Sequence, residues 1–144
     1  MKQDPFGNLM DWGTVLDILE ELADAGRLVE CQPGLIRILR FKGNWRLREE
    51  VLKRVGEIQA PSEDLFHQVL SILADDNVYY DARVIAGDAL SAMLNNIHAA
   101  SYEELSTAVK KLIEKLMQTP QPPFFGEAVE RLYDEIAEPS MLEN

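Results

Sequence analysis

The residues that most often carry catalysis are few and scattered in this chain. Its two histidines, His67 and His98, fall on different predicted helices, and neither has Asp, Glu or Cys around it at the spacing of a zinc or nucleophile site. The single cysteine, Cys31, is expected to be a small buried residue and excludes an internal disulfide. No glycine-rich loop for phosphate is present. We therefore predict a non-enzymatic protein with no catalytic residue, no metal site and no cofactor.

The charge of the chain limits its partners. Its 144 residues include 25 acidic and 14 basic residues, which give a formal net charge of −11. That balance argues against general binding to nucleic acid or to anionic membranes, because both require a positive surface. Residues 35–58, however, hold seven basic and three acidic residues, whereas 126–144 hold one basic and six acidic. We expect the basic segment, 37–54, to be neutralised within the fold or by an acidic partner.

Two arginines, Arg48 and Arg83, begin matching patterns that overlay without a gap. Small or apolar residues follow each arginine at the same offsets: Val51, Leu52, Val55, Gly56 and Ile58 after the first, and Ala86, Gly87, Leu90, Ser91 and Met93 after the second. A predicted helix and a tight turn, Gly-Asn or Asp-Asn, precede each pattern. The spacing predicts helix-turn-helix units of one length that stack on one another.

Apolar residues at steps of three and four predict about seven helices joined mostly by short turns, and hence an all-α protein. The predicted segments are 11–26, 33–41, 45–58, 61–75, 77–97, 101–118 and 125–137. The stretch 77–97 is the centre of the prediction, because its buried stripe alternates small and large residues and lets other helices approach closely. Residues 27–43 could be a hairpin, but we favour a short helix from Pro33, since proline suits a first helical turn.

Polar residues mark where several of these helices begin and end. Asp11 and Asn44 are predicted N-caps, Ser62 opens the next helix with Pro61, and Ser101 with Glu104 is predicted to form a capping box. Gly26 and Pro139 are predicted to end helices.

The chain is about one domain in length. Pro5 and Gly7 indicate an N-terminal arm, 1–10, whose order depends on docking. The helical domain is predicted to cover 11–139, followed by a short tail, 140–144. We see neither a signal peptide nor an apolar run long enough to span a membrane, so we expect a cytoplasmic protein.

The two arginine-led segments resemble the HEAT repeat, and more closely the short HEAT-like repeat of phycobilisome lyases. In that family the second helix of each repeat carries an arginine, small or apolar residues three and four positions later, leucine at seven and often glycine at eight. The match is best at 45–58 and 81–94, within repeats of about 33–60 and 62–97. A degenerate cap at about 101–138 puts Phe125 where the arginine belongs. An unrelated helical bundle is the alternative.

The resemblance implies a short right-handed α-solenoid of antiparallel helix pairs. It also implies that Arg48 and Arg83 form a structural ladder, holding neighbouring turns together through hydrogen bonds to carbonyls or carboxylates. The acidic residue that usually pairs with this ladder is Asp75 or Asp76 in one repeat, whereas the residues from Lys42 to Asn44 take its place in the other.

Family members mostly bind proteins, so the resemblance implies a partner-binding face on the second helices. On that face we predict a shallow groove for a peptide or an amphipathic helix, formed by Trp45, Glu49, Lys53, Tyr80, Val84 and Asp88. In the alternative interpretation, Trp45 and Tyr80 only cover the seam between two repeats.

The predicted function is therefore a protein-binding scaffold or adaptor. An alternative is a structural subunit of a larger complex, or a homodimer, that packs through an exposed end of the stack. Nucleic-acid binding is suggested by Phe41 and Trp45 within the basic segment, but the acidic helix and tail oppose it. A lyase-like enzyme has only the shared repeat in its favour.

Overall fold

The computed structural model describes residues 3–137, and within this range it contains seven α-helices, one 3-10 turn and no strand. The helices are α1 (Trp12–Asp24), α2 (Gln32–Arg40), α3 (Trp45–Val55), α4 (Glu63–Ala74), α5 (Tyr80–Asn96), α6 (Ala99–Met117) and α7 (Pro123–Ala137), with the 3-10 turn at Leu28–Cys31. The prediction of an all-α chain with about seven helices is confirmed. The helix preferred over a hairpin is α2, which has Pro33 in its first turn.

The helices contact one another in two rows. In one row α2 contacts α4 and α4 contacts α6, while in the other α3 contacts α5 and α5 contacts α7. Successive helices join the rows through contacts of α2 with α3, α4 with α5 and α6 with α7. Helix α1 packs against α3. Because α5 touches α3, α4, α6 and α7, it is the central helix of the described fold.

Close packing around α5 requires small residues. A Cβ atom on Gly56, just after α3, would come within 2.6 Å of the Cβ of Ala92, so only glycine fits at this contact between α3 and α5. On the opposite side, a Cβ on Gly87 would meet Leu132 of α7 at 3.6 Å. The small and large residues of the predicted stripe are all buried: Ala82, Ala86, Ala89, Leu90, Met93 and Leu94.

Two of the predicted helix starts are made by the expected side chains. The Asn44 side chain accepts a hydrogen bond from the backbone N–H of Arg46, at 2.9 Å. The Ser62 hydroxyl accepts one from the backbone N–H of Leu65, at 3.1 Å. At the end of α1, Gly26 adopts a φ of +69°, a value that favours glycine.

The predicted capping box at Ser101 is wrong. Helix α6 begins at Ala99, where the His98 ring nitrogen accepts the backbone N–H of Ala100 at 3.2 Å. Ser101 lies inside the helix, and its hydroxyl donates to Glu63 of α4 at 3.1 Å. The Ser101 side chain therefore joins α6 to α4 and does not cap α6. The predicted stop at Pro139 and the tail 140–144 lie outside the described residues.

The N-terminal arm is docked on α2. Phe6 keeps 1% of its surface exposed, and a Cβ on Gly34 would lie 2.7 Å from its ring, so the arm and α2 are in direct contact. The Arg37 guanidinium donates to both oxygens of Asp4, at 2.6 and 2.9 Å, and this hydrogen bonding lowers the pKa of Asp4. None of the helices within residues 3–137 is long and apolar enough to cross a membrane.

Replacing Phe6 tests the docking of the arm. We expect Phe6→Ala to lower the free energy of unfolding by about 3 kcal/mol, because truncating a buried ring loses apolar burial and leaves a cavity. Met10→Ala is the matched control, since Met10 lies on the same arm and is 73% exposed. Urea unfolding followed by circular dichroism measures both variants, and equal stabilities would show that the arm does not contribute to the core.

Candidate functional site

Aromatic and charged side chains meet where α3 and α5 begin. Trp45 is the first residue of α3, and its ring makes an edge contact with the ring of Tyr79, with centroids 5.2 Å apart. The Tyr79 hydroxyl donates to the Glu49 carboxylate at 2.5 Å. Partial burial and this hydrogen bond raise the pKa of Tyr79 to about 12. The structure thus brings Trp45 and Glu49 together through Tyr79, the residue next to the predicted Tyr80.

Tyr80 contacts α7. Its ring centroid lies 6.1 Å from that of Phe124 and 5.0 Å from that of Phe125. Further along α5, a carboxylate oxygen of Asp88 is 3.7 Å from the guanidinium of Arg131, also on α7. The α5 side of the predicted groove therefore faces the seam between α5 and α7.

The other two residues of the predicted groove are Val84 and Lys53. Val84 is half-buried and packs against the core. Lys53 is exposed on α3, with its ammonium 3.7 Å from Glu50. The six predicted residues are thus divided between two seams, with Trp45 and Glu49 at the first and Tyr80 and Asp88 at the second.

The starts of α3, α5 and α7 together carry four aromatic rings that are not fully buried, which we call the aromatic strip: Trp45, Tyr79, Tyr80 and Phe124. Tyr79 is 43% exposed and Phe124 is 50% exposed, while the other two rings are half-buried. Sequence reasoning missed both exposed rings. A signal was present, because in each of the pairs Tyr-Tyr and Phe-Phe the two neighbouring side chains of a helix start cannot both face the core.

Arg83 is held firmly within the fold. It keeps 1% of its surface exposed, and its Nε donates to the carbonyl of Leu73, near the end of α4, at 2.9 Å. Its Nη2 is buried and makes no hydrogen bond within the described residues, but lies 3.6 Å from a carboxylate oxygen of the exposed Asp76. The guanidinium also lies over the rings of Phe125 and Tyr80, at 4.6 and 5.3 Å. Arg83 thus joins the end of α4 to the starts of α5 and α7.

Arg48 occupies the matching position without the matching partners. It keeps 5% of its surface exposed, and its guanidinium lies 3.7 Å from the centre of the Trp45 ring. Its Nε is fully enclosed and has no hydrogen-bond partner among the described residues. Burial lowers the pKa of Arg48, and the charge of Asp75 opposes this shift without forming an ion pair. Arg48 is thus a buried cation whose main contact is an aromatic face.

The basic segment 37–54 is neutralised at its two ends. Arg37 pairs with Asp4, while Arg54 and Lys53 both lie against Glu50.

The middle of the segment remains positive. Lys42 and Arg46 are exposed and make no ion pair within residues 3–137, and Arg40 donates to the neutral side chain of Gln68 at 2.8 Å. Lys42, Arg46 and Arg48 thus place positive charge around the start of α3, and Asp75 acts on Arg48 through its charge.

The groups named for chemistry in the sequence do not converge. Cys31 is buried, and burial raises the pKa of its thiol to about 11. His67 lines a cleft of about 790 Å³ between α2 and α4, together with Arg40 and Asp64. In the part of the chain that the structure describes, no three His, Cys, Asp or Glu side chains are grouped so that they could hold a metal ion.

Comparison of the chain with protein-family models, with curated proteins and with solved structures finds no match. The HEAT-like resemblance therefore stays a prediction.

The difference between the two arginines can be measured as stability. We expect Arg83→Met to lower the free energy of unfolding by about 2 kcal/mol more than Arg48→Met, because hydrogen bonds from charged donors contribute about 1.5–3 kcal/mol and only Arg83 makes one. Methionine retains much of the apolar part of the arginine side chain in both variants, so the two variants serve as controls for each other. Equal losses in urea unfolding would contradict the structural role assigned to Arg83.

Proposed function

We propose that this protein is a non-enzymatic cytoplasmic scaffold that binds a peptide or helix of another protein across the face formed by α3, α5 and α7. The observation that carries the proposal is the aromatic strip, in which Tyr79 and Phe124 expose 43% and 50% of their surfaces. Aromatic side chains are enriched at the energetic centres of protein interfaces, because they supply a large contact area at a small entropy cost.

The proposal includes a HEAT-like stack of the three helix pairs. It is supported by the two rows of contacts, α2 with α4 and α6, and α3 with α5 and α7. It is also supported by Arg48 and Arg83, each of which lies over the ring of the aromatic residue three positions earlier, at 3.7 and 5.3 Å.

This arrangement sets the size of the bound segment. Packed helices lie about 9 Å apart, so the strip extends about 20 Å across α3, α5 and α7. That distance corresponds to about six residues of extended chain. Half-buried neighbours hold the two exposed rings in place, which lowers the entropy cost of binding.

Peptide selection followed by substitution tests this function. Random peptides displayed on phage would be selected on the purified protein, and the enriched sequences synthesised. We expect the double variant Tyr79→Ser, Phe124→Ser to bind them at least tenfold more weakly with a nearly unchanged melting temperature, because both rings are exposed. Met117→Ser is the control, since Met117 is 48% exposed outside the strip.

Two results would count against the scaffold function. Unchanged binding by the double variant would remove the aromatic strip from the interface. A large drop in the melting temperature would show instead that the two rings stabilise the seams between helices.

A second candidate function is packing against another subunit through the α6–α7 pair. Met117 is exposed there, Leu112 and Tyr133 are half-buried, and a cleft of about 460 Å³ lies among Met117, Tyr133 and neighbouring carboxylates. An apolar surface of this kind at one end of a helical stack is typical of a subunit contact.

Solution mass distinguishes the two candidates. We expect a monomer of 16.3 kDa at micromolar concentration in size exclusion with light scattering, because the exposed apolar side chains on this surface are few. A dimer that Met117→Glu converts to monomer would favour the second candidate. Phe124→Glu is the control on the aromatic strip.

A further inference from the structure

Arg48 and Arg83 occupy equivalent positions but differ in the partners of their guanidinium groups. Arg48 and Arg83 each stand three residues after the first residue of a helix, and each is almost fully buried over an aromatic ring. Arg83 has a carbonyl acceptor in Leu73 and a carboxylate in Asp76, at 2.9 and 3.6 Å. Within the described residues Arg48 makes no such hydrogen bond or ion pair, and its Nε is buried without a partner; on Arg83 only Nη2, which has the Asp76 ion pair, lacks a hydrogen bond.

The sequence explains the difference. The turn before α5 holds Asp75 and Asp76, whereas the turn before α3, residues 41–44, holds no carboxylate and includes Lys42. A buried charge without a counterion is unfavourable, and an acceptor supplied from outside would relieve this cost.

We propose that the bound segment is anchored by a carboxylate that pairs with Arg48 at the starts of α3 and α5. This inference rests on the proposed function and adds to it the chemistry of the partner. A guanidinium presents donors in a planar fork that matches the two oxygens of a carboxylate. The carboxylate belongs to an aspartate, a glutamate or the C-terminus of the partner, and an apolar residue beside it lies on Tyr79.

The surroundings of Arg48 favour an anion. Lys42 and Arg46 are exposed and unpaired within the described chain, and they flank the first turn of α3. The N–H groups of that turn add a positive partial charge, although the Asn44 side chain accepts one of them, that of Arg46. Three carboxylates lie nearby: Glu49 accepts the Tyr79 hydroxyl, while Asp75 acts on Arg48 and Asp81 on Tyr79 through charge alone.

The net charge of −11 does not oppose a single anchored carboxylate. Helices α1 and α7 each carry four acidic residues, and exposed charges more than about 8 Å apart are largely screened at physiological salt. An extended acidic partner would meet those helices, so the anchor is expected to be one carboxylate within a short, otherwise apolar segment.

The peptides enriched by phage selection test this anchor. We expect them to carry Asp, Glu or a free C-terminal carboxylate next to an aromatic or aliphatic residue. Arg48→Met should weaken their binding at least tenfold in fluorescence anisotropy. Neutralising the peptide carboxylate should weaken binding to the wild type equally, but should have little further effect on Arg48→Met, because the two groups act as a pair.

Two further variants keep the test independent of the stability of Arg48→Met. Lys42→Ala with Arg46→Ala leaves the buried residues intact and should weaken binding about threefold, with a larger effect at low salt. Lys111→Met removes an exposed charge from α6 and should change nothing.

The possible failures are distinguishable. If no peptide is enriched, the proposed function fails and this inference fails with it. If the enriched peptides lack a carboxylate, or if its removal weakens binding to Arg48→Met as much as to the wild type, the anchor is overturned while the scaffold function stands. A fluorescein-labelled 20-nucleotide single strand is the remaining probe. If it binds more tightly than the peptides do, and if Arg48→Met abolishes this binding, the ligand of Arg48 is a phosphate and not a carboxylate.

Discussion

The described fold depends on the close approach of other helices to α5. On the α3 side this approach depends on Gly56, where a Cβ would lie 2.6 Å from that of Ala92, whereas a Cβ on Gly87 would meet Leu132 of α7 at 3.6 Å, an ordinary van der Waals distance. Interiors packed at this density tolerate little change in volume. The same packing encloses Arg83 and fixes its guanidinium against α4 and α7, so the central contact that builds the fold also sets the positions of the aromatic strip.

Local signals predicted most of the fold. The helices, the small-residue face of 77–97 and the caps at Asn44 and Ser62 depend on residues within a few positions of each other, and the structure confirms them. The Ser101 cap failed because its outcome depends on a distant group, Glu63 of α4. A periodic pattern gives the faces of a helix, but it does not say which other helix competes for a hydroxyl.

The candidate site was less predictable for a similar reason. The matching patterns located Arg48 and Arg83 at equivalent positions, and both are buried. Which aromatic rings stay exposed depends on neighbours that the sequence does not reveal. Tyr80 packs against α7, at the seam between α5 and α7. The adjacent residue, Tyr79, packs against Trp45 at the seam between α3 and α5.

The docked N-terminal arm makes the two extremities of the helical rows unequal. The arm lies on α2 and α1 packs on α3, so the first helix pair is covered on both members, whereas α6 and α7 have no such cover within the described residues. Growth into a fibre by head-to-tail contacts requires two different, complementary surfaces on every copy. The covered first helix pair does not offer one of these surfaces. Self-association through the uncovered α6–α7 pair would therefore be symmetric and would close at two subunits.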